Sequence, residues 1–314
     1  MDNITPLVSV IIPTYARNIY ICKAIDSVLT QTYKNIEIIV VDDNGKDTKN
    51  QRATYNTLKS YIEQNQIKYI VHKKNLNGSA ARNTGIFNAN GEYICLLDDD
   101  DEFFPDKIEK QVQELQKLNE DWAGVYCNSI DRIIKKSKTI NKFIQNIPSD
   151  NLKEDLLLCK ACFGSSSLML RKSVCLQLGG FDESFKRHQD WEFLVRLLRK
   201  YKLKLVEPNK ALIYYNILPT NTNKPVSKNI AIYREKYLEK FKDDIESSKS
   251  RNNIYYVHYY SVGTSLLYNL YIKDGVKYVL KAFKYMPNYI ALLKIPYHII
   301  RGTLNKIKLG LFHV

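Results

Sequence analysis

Four consecutive aspartates, Asp98, Asp99, Asp100 and Asp101, follow the apolar run YICLL and precede Phe103-Phe104-Pro105. A run of carboxylates is ordinarily a solvated loop, but these flanks hold it at a buried margin, where close like charges repel unless a cation joins them. A divalent ion that prefers oxygen, Mg²⁺ or Mn²⁺, answers that repulsion and would bridge one or two carboxylates to substrate phosphates. Two other acidic positions invite the same attention. Asp42-Asp43 closes the run IEIIVV, and the plain alternative there is a turn or helix cap before Asn44-Gly45. Asp190 in HQDWEF opens a helical run through Phe193, Leu194 and Leu197, where an ordinary N-cap is the plain reading.

The elements that must position these residues are legible from apolar periodicity. VSVII from Val8, IEIIVV from Ile36, KYIV from Lys68 and YICLL from Tyr93 read as strands. Helical spacing appears at Ile21, Ile25, Val28 and Leu29, over Ser79–Ala89, and at Ile108, Val112 and Leu115. Alternation of this kind predicts a largely parallel sheet covered by helices, with ligands beyond the carboxyl ends of its strands. Pro13-Thr14-Tyr15, Asp42-Asp43 and the aspartate run all lie at such ends. From Trp122 the pattern becomes mixed, with short strands expected at VYC, SLML and LKLV, some of them antiparallel. Gly78 reads as a turn residue and Arg82 as a residue of the following helix, near a ligand or simply exposed. Asn221–Lys228, rich in Asn, Thr and Pro, reads as a linker. It separates a domain expected over 1–220 from a helical, basic, Tyr-rich region over 221–314.

Six segments in fixed order, VSVIIPTYAR, VVDDN, NLNGSAARNTGI, YICLLDDDDEFFP, GGFDE and QDWEF, resemble the family 2 inverting glycosyltransferases with the GT-A fold. The resemblance spans residues 7–215 and implies an α/β domain with a Rossmann-like mixed, mainly parallel sheet. It implies transfer of a sugar from a nucleotide-diphosphate sugar, UDP-linked by the same likeness, to an acceptor hydroxyl of a saccharide or lipid-linked saccharide in bacterial surface polysaccharide or glycolipid synthesis. Pro13 and Tyr15 would then border the nucleobase and Asp43 would accept a hydrogen bond from it. Arg82 would lie near the nucleotide, Asp98 near the ribose, Asp99 between, and Asp100 on the metal, with Asp101 structural. Asp190 would be the base, GGFDE a turn on the acceptor side, and Trp191 either a sugar platform or a core residue. The chain departs from the family at Ala16, where asparagine is common, at Asn44-Gly45, and at Gln189, where glutamate is common.

Composition narrows the rest. At 314 residues, 45% hydrophobic and 25% charged, the chain is a folding protein rather than a disordered one. Its six cysteines lie mostly in apolar segments; Cys159 and Cys162 form a CxxC with no second ligand pair, so a shared helix is expected rather than a zinc site. The net charge of +14 calls for an anionic partner. Eight Lys/Arg against Asp274 alone between Tyr271 and Val314 place much of it in the tail. There Val276, Val279, Leu280 and Phe283 share a face opposite Lys277, Lys281 and Lys284, as an interfacial helix or a packed surface helix would. With no signal segment or membrane span legible, a cytoplasmic location is expected, with peripheral contact to the inner face of the cell membrane. A non-catalytic module binding anionic lipid or nucleic acid is the competing class; the acidic strand ends would repel phosphate unless a metal were bound, and no nucleic acid is expected. A nucleotidyltransferase would want a glycine- and Lys/Arg-rich triphosphate loop, and PTYARNIY is not one.

Overall fold

The computed structural model describes residues 5–135, 138–146, 148–161, 163–217 and 229–308. The chain divides into two compact units, Met1–Lys153 with Cys162–Thr222, and Glu154–Ala161 with Asn223–Val314.

In the first unit β1 (Val8–Thr14), β2 (Ile36–Asp42), β3 (Lys68–Val71) and β4 (Tyr93–Leu96) run parallel in the order β3-β2-β1-β4. The β-branched and aromatic residues of β1, β4 and the end of β2 are buried on both faces, which is why they read as unbroken apolar runs, whereas β3, at the edge, is only half-buried. Helices α1 (Ile21–Leu29), α2 (Lys49–Glu63) and α3 (Gly78–Phe87) connect them. On α1 the inward residues Ile21, Ala24, Ile25 and Val28 are all buried. Because β2 and β3 lie on one side of β1 and β4 on the other, the chain reverses direction between β1 and β4. The carboxyl ends of those two strands therefore flank a crevice.

The sheet continues through β8 (Met169–Arg171), β6 (Trp122–Lys135), β9 (Lys202–Ile217) and β5 (Glu102–Phe103). β8 is antiparallel to both β4 and β6, β6 is parallel to β9, and β7 (Lys138–Ile144) forms a hairpin with β6. The short strands expected at VYC and LKLV are thus the starts of strands of 14 and 16 residues. Helices α4 (Lys107–Leu115), α5 (Leu152–Leu157), α6 (Lys172–Gln177) and α7 (Gln189–Leu198) complete this part of the chain.

The second unit holds α8 (Ile230–Lys240), α9 (Lys242–Glu246), α10 (Arg251–Tyr268), α11 (Ile272–Tyr285), α12 (Tyr289–Leu293) and α13 (Ile295–Lys308). Residues Glu154–Ala161 are drawn into it: Ser248 donates to Glu154 (3.1 Å), and the Nε2 of buried His258 lies 2.8 Å from the carbonyl of Leu157. One expectation changes here. Cys159 follows α5 in a left-handed turn (φ 56°) instead of sharing a helix with Cys162, which lies outside the described residues, as does the Asn221–Lys228 segment. Of the apolar residues expected to share a face on α11, Val279 is buried over Gly263 of α10, Val276 and Phe283 are half-buried, and Leu280 is 48% exposed. Among the described residues no helix is long and apolar enough to cross a membrane.

Candidate active site

The aspartate run sits at the carboxyl end of β4, closed into a turn by the amide of Asp101 donating to the carbonyl of Asp98 (3.0 Å). Its side chains alternate. Asp99 and Asp101 point inward and are buried, whereas Asp98 and Asp100 keep side-chain exposures of 24% and 9%. That alternation is the physical content of a DxD pattern: every second carboxylate reaches the crevice. Thr14, at the end of β1, donates to Asp99 (2.7 Å), so Asp99 staples the two strands that flank the crevice. Burial pushes the Asp99 carboxyl up to about 7 against the opposing pull of Arg17. Asp99, expected beside the nucleotide, is therefore an internal fastening, because a fully buried carboxylate has no surface to offer a ligand. Asp101 accepts from Ser166 Oγ (2.6 Å) and from the amide of Asn216 (3.1 Å), and burial lifts its pKa well above the carboxylate range. Its structural reading stands.

Arg17, which sequence reasoning passed over, occupies the position a cation should. Its guanidinium lies 2.9 Å from Asp99 Oδ1 and also pairs with Asp100. Without it two neighbouring carboxylates would face each other uncompensated. The adjoining Ala16 has φ 55°, a left-handed conformation that asparagine tolerates better than alanine, and its amide is held by Asn44 Oδ1 (2.7 Å). Tyr15, 53% exposed, and Pro13 border the same strand end.

Arg82 is buried, not exposed, and it joins distant parts of the sequence. It reaches Asp98 (2.5 Å), Ser165 Oγ (3.2 Å) and Gln189 Oε1 (3.1 Å). Asn77 carries the turn before α3 at φ 92° and caps it by accepting from Ser79 N (2.9 Å). Gly78, expected to make that turn, serves another purpose: a Cβ there would lie 3.1 Å from both Arg82 Nη1 and Gln189 Oε1.

Asp43 is buried, and both of its oxygens are taken. Oδ1 meets His72 Nδ1 (2.8 Å) and the Leu76 amide (2.8 Å); Oδ2 accepts from Asn75 Nδ2 (2.8 Å) and the Asn77 amide (2.9 Å). A carboxylate offers about four lone-pair sites, so the direct contact expected with a nucleobase has none left. Asp43 instead fixes the loop that leads into α3 and Arg82. Asp42 accepts from Asn44 N (2.8 Å) and Tyr69 Oη (2.5 Å), which is the turn role weighed for it.

Asp190 lies in the first turn of α7; the cap position is His188, in a left-handed conformation, so Asp190 is not the N-cap. Burial raises its pKa despite the nearby Arg82, and its Oδ1 is buried with no hydrogen-bond partner among the described residues. Asp190 faces a cavity of about 340 Å³ whose wall includes Trp191, Tyr215, Phe163 and Asp131. Trp191 is half-buried there, its ring 5.1 Å from that of His188. The GGFDE segment does turn, at Gly179 (φ 70°) and Gly180 (φ 73°), and Asn83 of α3 clamps it by bonding both ways with Phe181 (2.7 and 2.9 Å).

Sequence reasoning missed Arg17, Ser165, Ser166, Tyr215 and Asn216. The cation beside an aspartate run was a findable counter-charge. The others come from a 3-10 turn, Ser165–Ser167, and the end of β9, which only the sheet topology brings to the crevice. Among the described residues no group of three or more His, Cys, Asp or Glu is placed to hold a metal alone. The crevice does offer what a hard cation bound partly by phosphates needs: oxygen donors only, and crowded carboxylates now countered by a guanidinium.

Residues 9–178 match the profile of glycosyl transferase family 2. The chain belongs to that family. It is 37% identical over 199 residues to an uncharacterized glycosyltransferase of Rickettsia typhi, covering 62% of this chain and 59% of that protein. It is 36% identical over 197 residues to one of Rickettsia felis, covering 62% and 32%. Likeness to the amylovoran biosynthesis glycosyltransferase AmsB of Erwinia amylovora is 29% over 201 residues, covering 60% and 62%. The chain thus spans between 28% and 59% of the length of the Rickettsia relatives it matches. In structure it resembles S. aureus TarS 1–349 in complex with UDP-GlcNAc (TM-score 0.57, 15% identity, 97% of this chain and 92% of that one). It also resembles the mannosyltransferase PcManGT of Pyrobaculum calidifontis in complex with GDP-Man and Mn²⁺ (TM-score 0.57, 16% identity, 97% and 88%). Both likenesses concern the fold, the GT-A arrangement expected for the family. The family match ends at residue 178, so Asp190 stands beyond it.

Proposed function

We propose that the chain is an inverting glycosyltransferase that moves a sugar from a nucleotide-diphosphate sugar, UDP-linked, to a hydroxyl of a saccharide or lipid-linked saccharide. One observation carries the reading: Arg82 ties a crevice-facing carboxylate of the aspartate run, Asp98, to Gln189, the neighbour of Asp190, across 107 residues of sequence. Donor and acceptor chemistry then share one site. Pro13 and Tyr15 flank the base, Asp43 serves it indirectly through the loop before α3, and Asp98 and Arg82 border the ribose and diphosphate.

Asp100, beside Asp98 on the exposed side of the run, would hold Mn²⁺ or Mg²⁺ together with the donor's phosphates. Such an ion supplies Lewis-acid stabilisation of the charge that gathers on the departing diphosphate. Arg17, already paired with Asp100, would compete with such an ion for the carboxylate. Asp190 accepts the proton of the attacking hydroxyl at its unbonded Oδ1, and its raised pKa makes it a better proton acceptor than an ordinary aspartate. The cavity beside it receives the acceptor, with Trp191 and Tyr215 offering flat faces to a sugar ring. AmsB is named for amylovoran synthesis, which supports a place in bacterial surface polysaccharide assembly.

Calorimetric titration of UDP and of GDP, with Mn²⁺ and with chelator, tests the donor site. Metal-dependent binding of UDP that Asp100→Ala abolishes is the expected outcome; failure of both nucleotides to bind under every condition refutes the reading.

A further inference from the structure

The last helices of the second unit carry an apolar stripe that faces outward. Tyr289, Ile290 and Leu293 on α12 and Tyr297, Ile300 and Leu304 on α13 are all exposed, Tyr289 by 71% and Leu293 by 78%. On α13 the spacing 297, 300, 304 is that of one helical face. The opposite faces are the ones held. Ala291 is buried, and Asn288 caps α12 by accepting from the amide of Ala291 (3.2 Å) while donating to Tyr256 Oη (3.1 Å). Gly302 lies so close to α10 that a Cβ would stand 2.1 Å from the carbonyl oxygen of Tyr268. The helix cannot roll to hide its stripe without losing that contact.

Charge says what covers such a face. From Met286 to Val314 the sequence has Lys294, Arg301, Lys306 and Lys308 and no aspartate or glutamate. Lys294 and Arg301 are exposed beside the stripe. Apolar residues bordered only by cations, with tyrosines among them, suit the boundary between acyl chains and anionic headgroups. A second copy of this chain, itself strongly basic, would meet the stripe with like charge. At 14 residues α13 extends about 21 Å, short of the roughly 30 Å hydrocarbon core, so it would lie in the interface rather than cross it.

We infer that the α12–α13 face docks on an anionic lipid surface. The inference places the membrane contact on the two helices that follow α11, where exposed apolar residues are more numerous than on α11 itself. It does not depend on the catalytic reading.

The test is co-sedimentation of the full chain with vesicles of phosphatidylcholine alone and of phosphatidylcholine mixed with phosphatidylglycerol. Wild type is expected to bind the anionic vesicles more tightly, with the preference shrinking at high salt. The double variant Leu293→Asp/Ile300→Asp should bind them at least about tenfold more weakly, because burying even one such side chain is worth a tenfold step or more. Lys294→Glu/Arg301→Glu should remove the preference for anionic lipid. Circular dichroism and metal-dependent UDP binding in the variants confirm that the fold and the crevice survive. The inference is overturned if wild type binds neither vesicle, or if the Leu293→Asp/Ile300→Asp variant binds as well as wild type. It is also overturned if sedimentation velocity shows a dimer that this variant dissociates.

Discussion

Arg17 offers the sharpest test of how the acidic crevice is kept stable. Its guanidinium stands 2.9 Å from Asp99 and pairs with Asp100, so any metal ion that approaches these carboxylates must first displace an arginine. Replacing Arg17 with alanine removes the competitor. Two unit charges 4 Å apart attract by about 1 kcal/mol in water and about 4 kcal/mol at an effective dielectric of 20. The Arg17 side chain is 38% exposed, which puts its pairing toward the watery end of that range. We take roughly 1–2 kcal/mol as the competition relieved, equivalent to about a tenfold gain in affinity for the ion. The assay is Mn²⁺ binding in the presence of saturating UDP, followed by electron paramagnetic resonance of the free ion at low ionic strength. Arg17→Ala should bind Mn²⁺ about tenfold more tightly than wild type, the gain should shrink with added salt, and Asp100→Ala should abolish binding in both backgrounds. Unchanged or weaker Mn²⁺ binding by Arg17→Ala would refute the view that this arginine fills the cation position.

Three further substitutions separate chemistry from stability. Asp190→Asn should lower transfer by about 10²–10⁴-fold, the usual contribution of a general base, and should raise the melting temperature at neutral pH. The sign follows from the raised pKa: the folded state holds the Asp190 proton more firmly than the unfolded chain, so the wild-type contribution to stability falls as pH rises from the ordinary aspartate value through the raised one. In the wild type kcat/KM should fall on acidification at a pH above the ordinary aspartate range, because only the ionised form accepts a proton. Gly180→Ala and Gly179→Ala form a matched pair, since both residues have positive φ but only a Cβ at 180 would strike a neighbour, Asn83 Oδ1 at 2.3 Å. Chemical denaturation should show Gly179→Ala costing about 1 kcal/mol and Gly180→Ala about 1–3 kcal/mol more.

The parallel half of the fold was legible because strands buried on both faces leave unbroken apolar runs, as β1, β2 and β4 do, and half-buried β3 carries a short apolar run of its own. The long strands were not. β6 passes beyond Cys127 into Asp131, Arg132 and Lys135, residues usually read as leaving a strand. β9 contains Glu207-Pro208-Asn209-Lys210, which looks like a turn yet is accommodated by a register shift between Cys127–Val206 and Asn128–Ala211. A bulge leaves the ladder running on either side, and no local pattern announces it. At the site, position was readable and partnership was not. Asp43 and Asp99 stand at the strand ends where they were expected, but their carboxylates are spent on His72, on the Asn75–Asn77 loop, on Thr14 and on Arg17. Periodicity marks where an element stops and is silent on which lone pairs are already used.

The bond between Arg82 and Gln189 also bears on how such chains can be recombined. A tempting way to alter acceptor preference is to graft the α7 segment of a relative onto this scaffold. A graft that brings glutamate in place of Gln189 would set a second anion against a guanidinium already committed to Asp98. The imported helix would then arrive with a charge the host crevice has not been matched to. Residues 82, 98 and 189 should be exchanged as a set, and a library that varies α7 alone will sample many chains whose aspartate run has been disturbed by a change made on a distant helix.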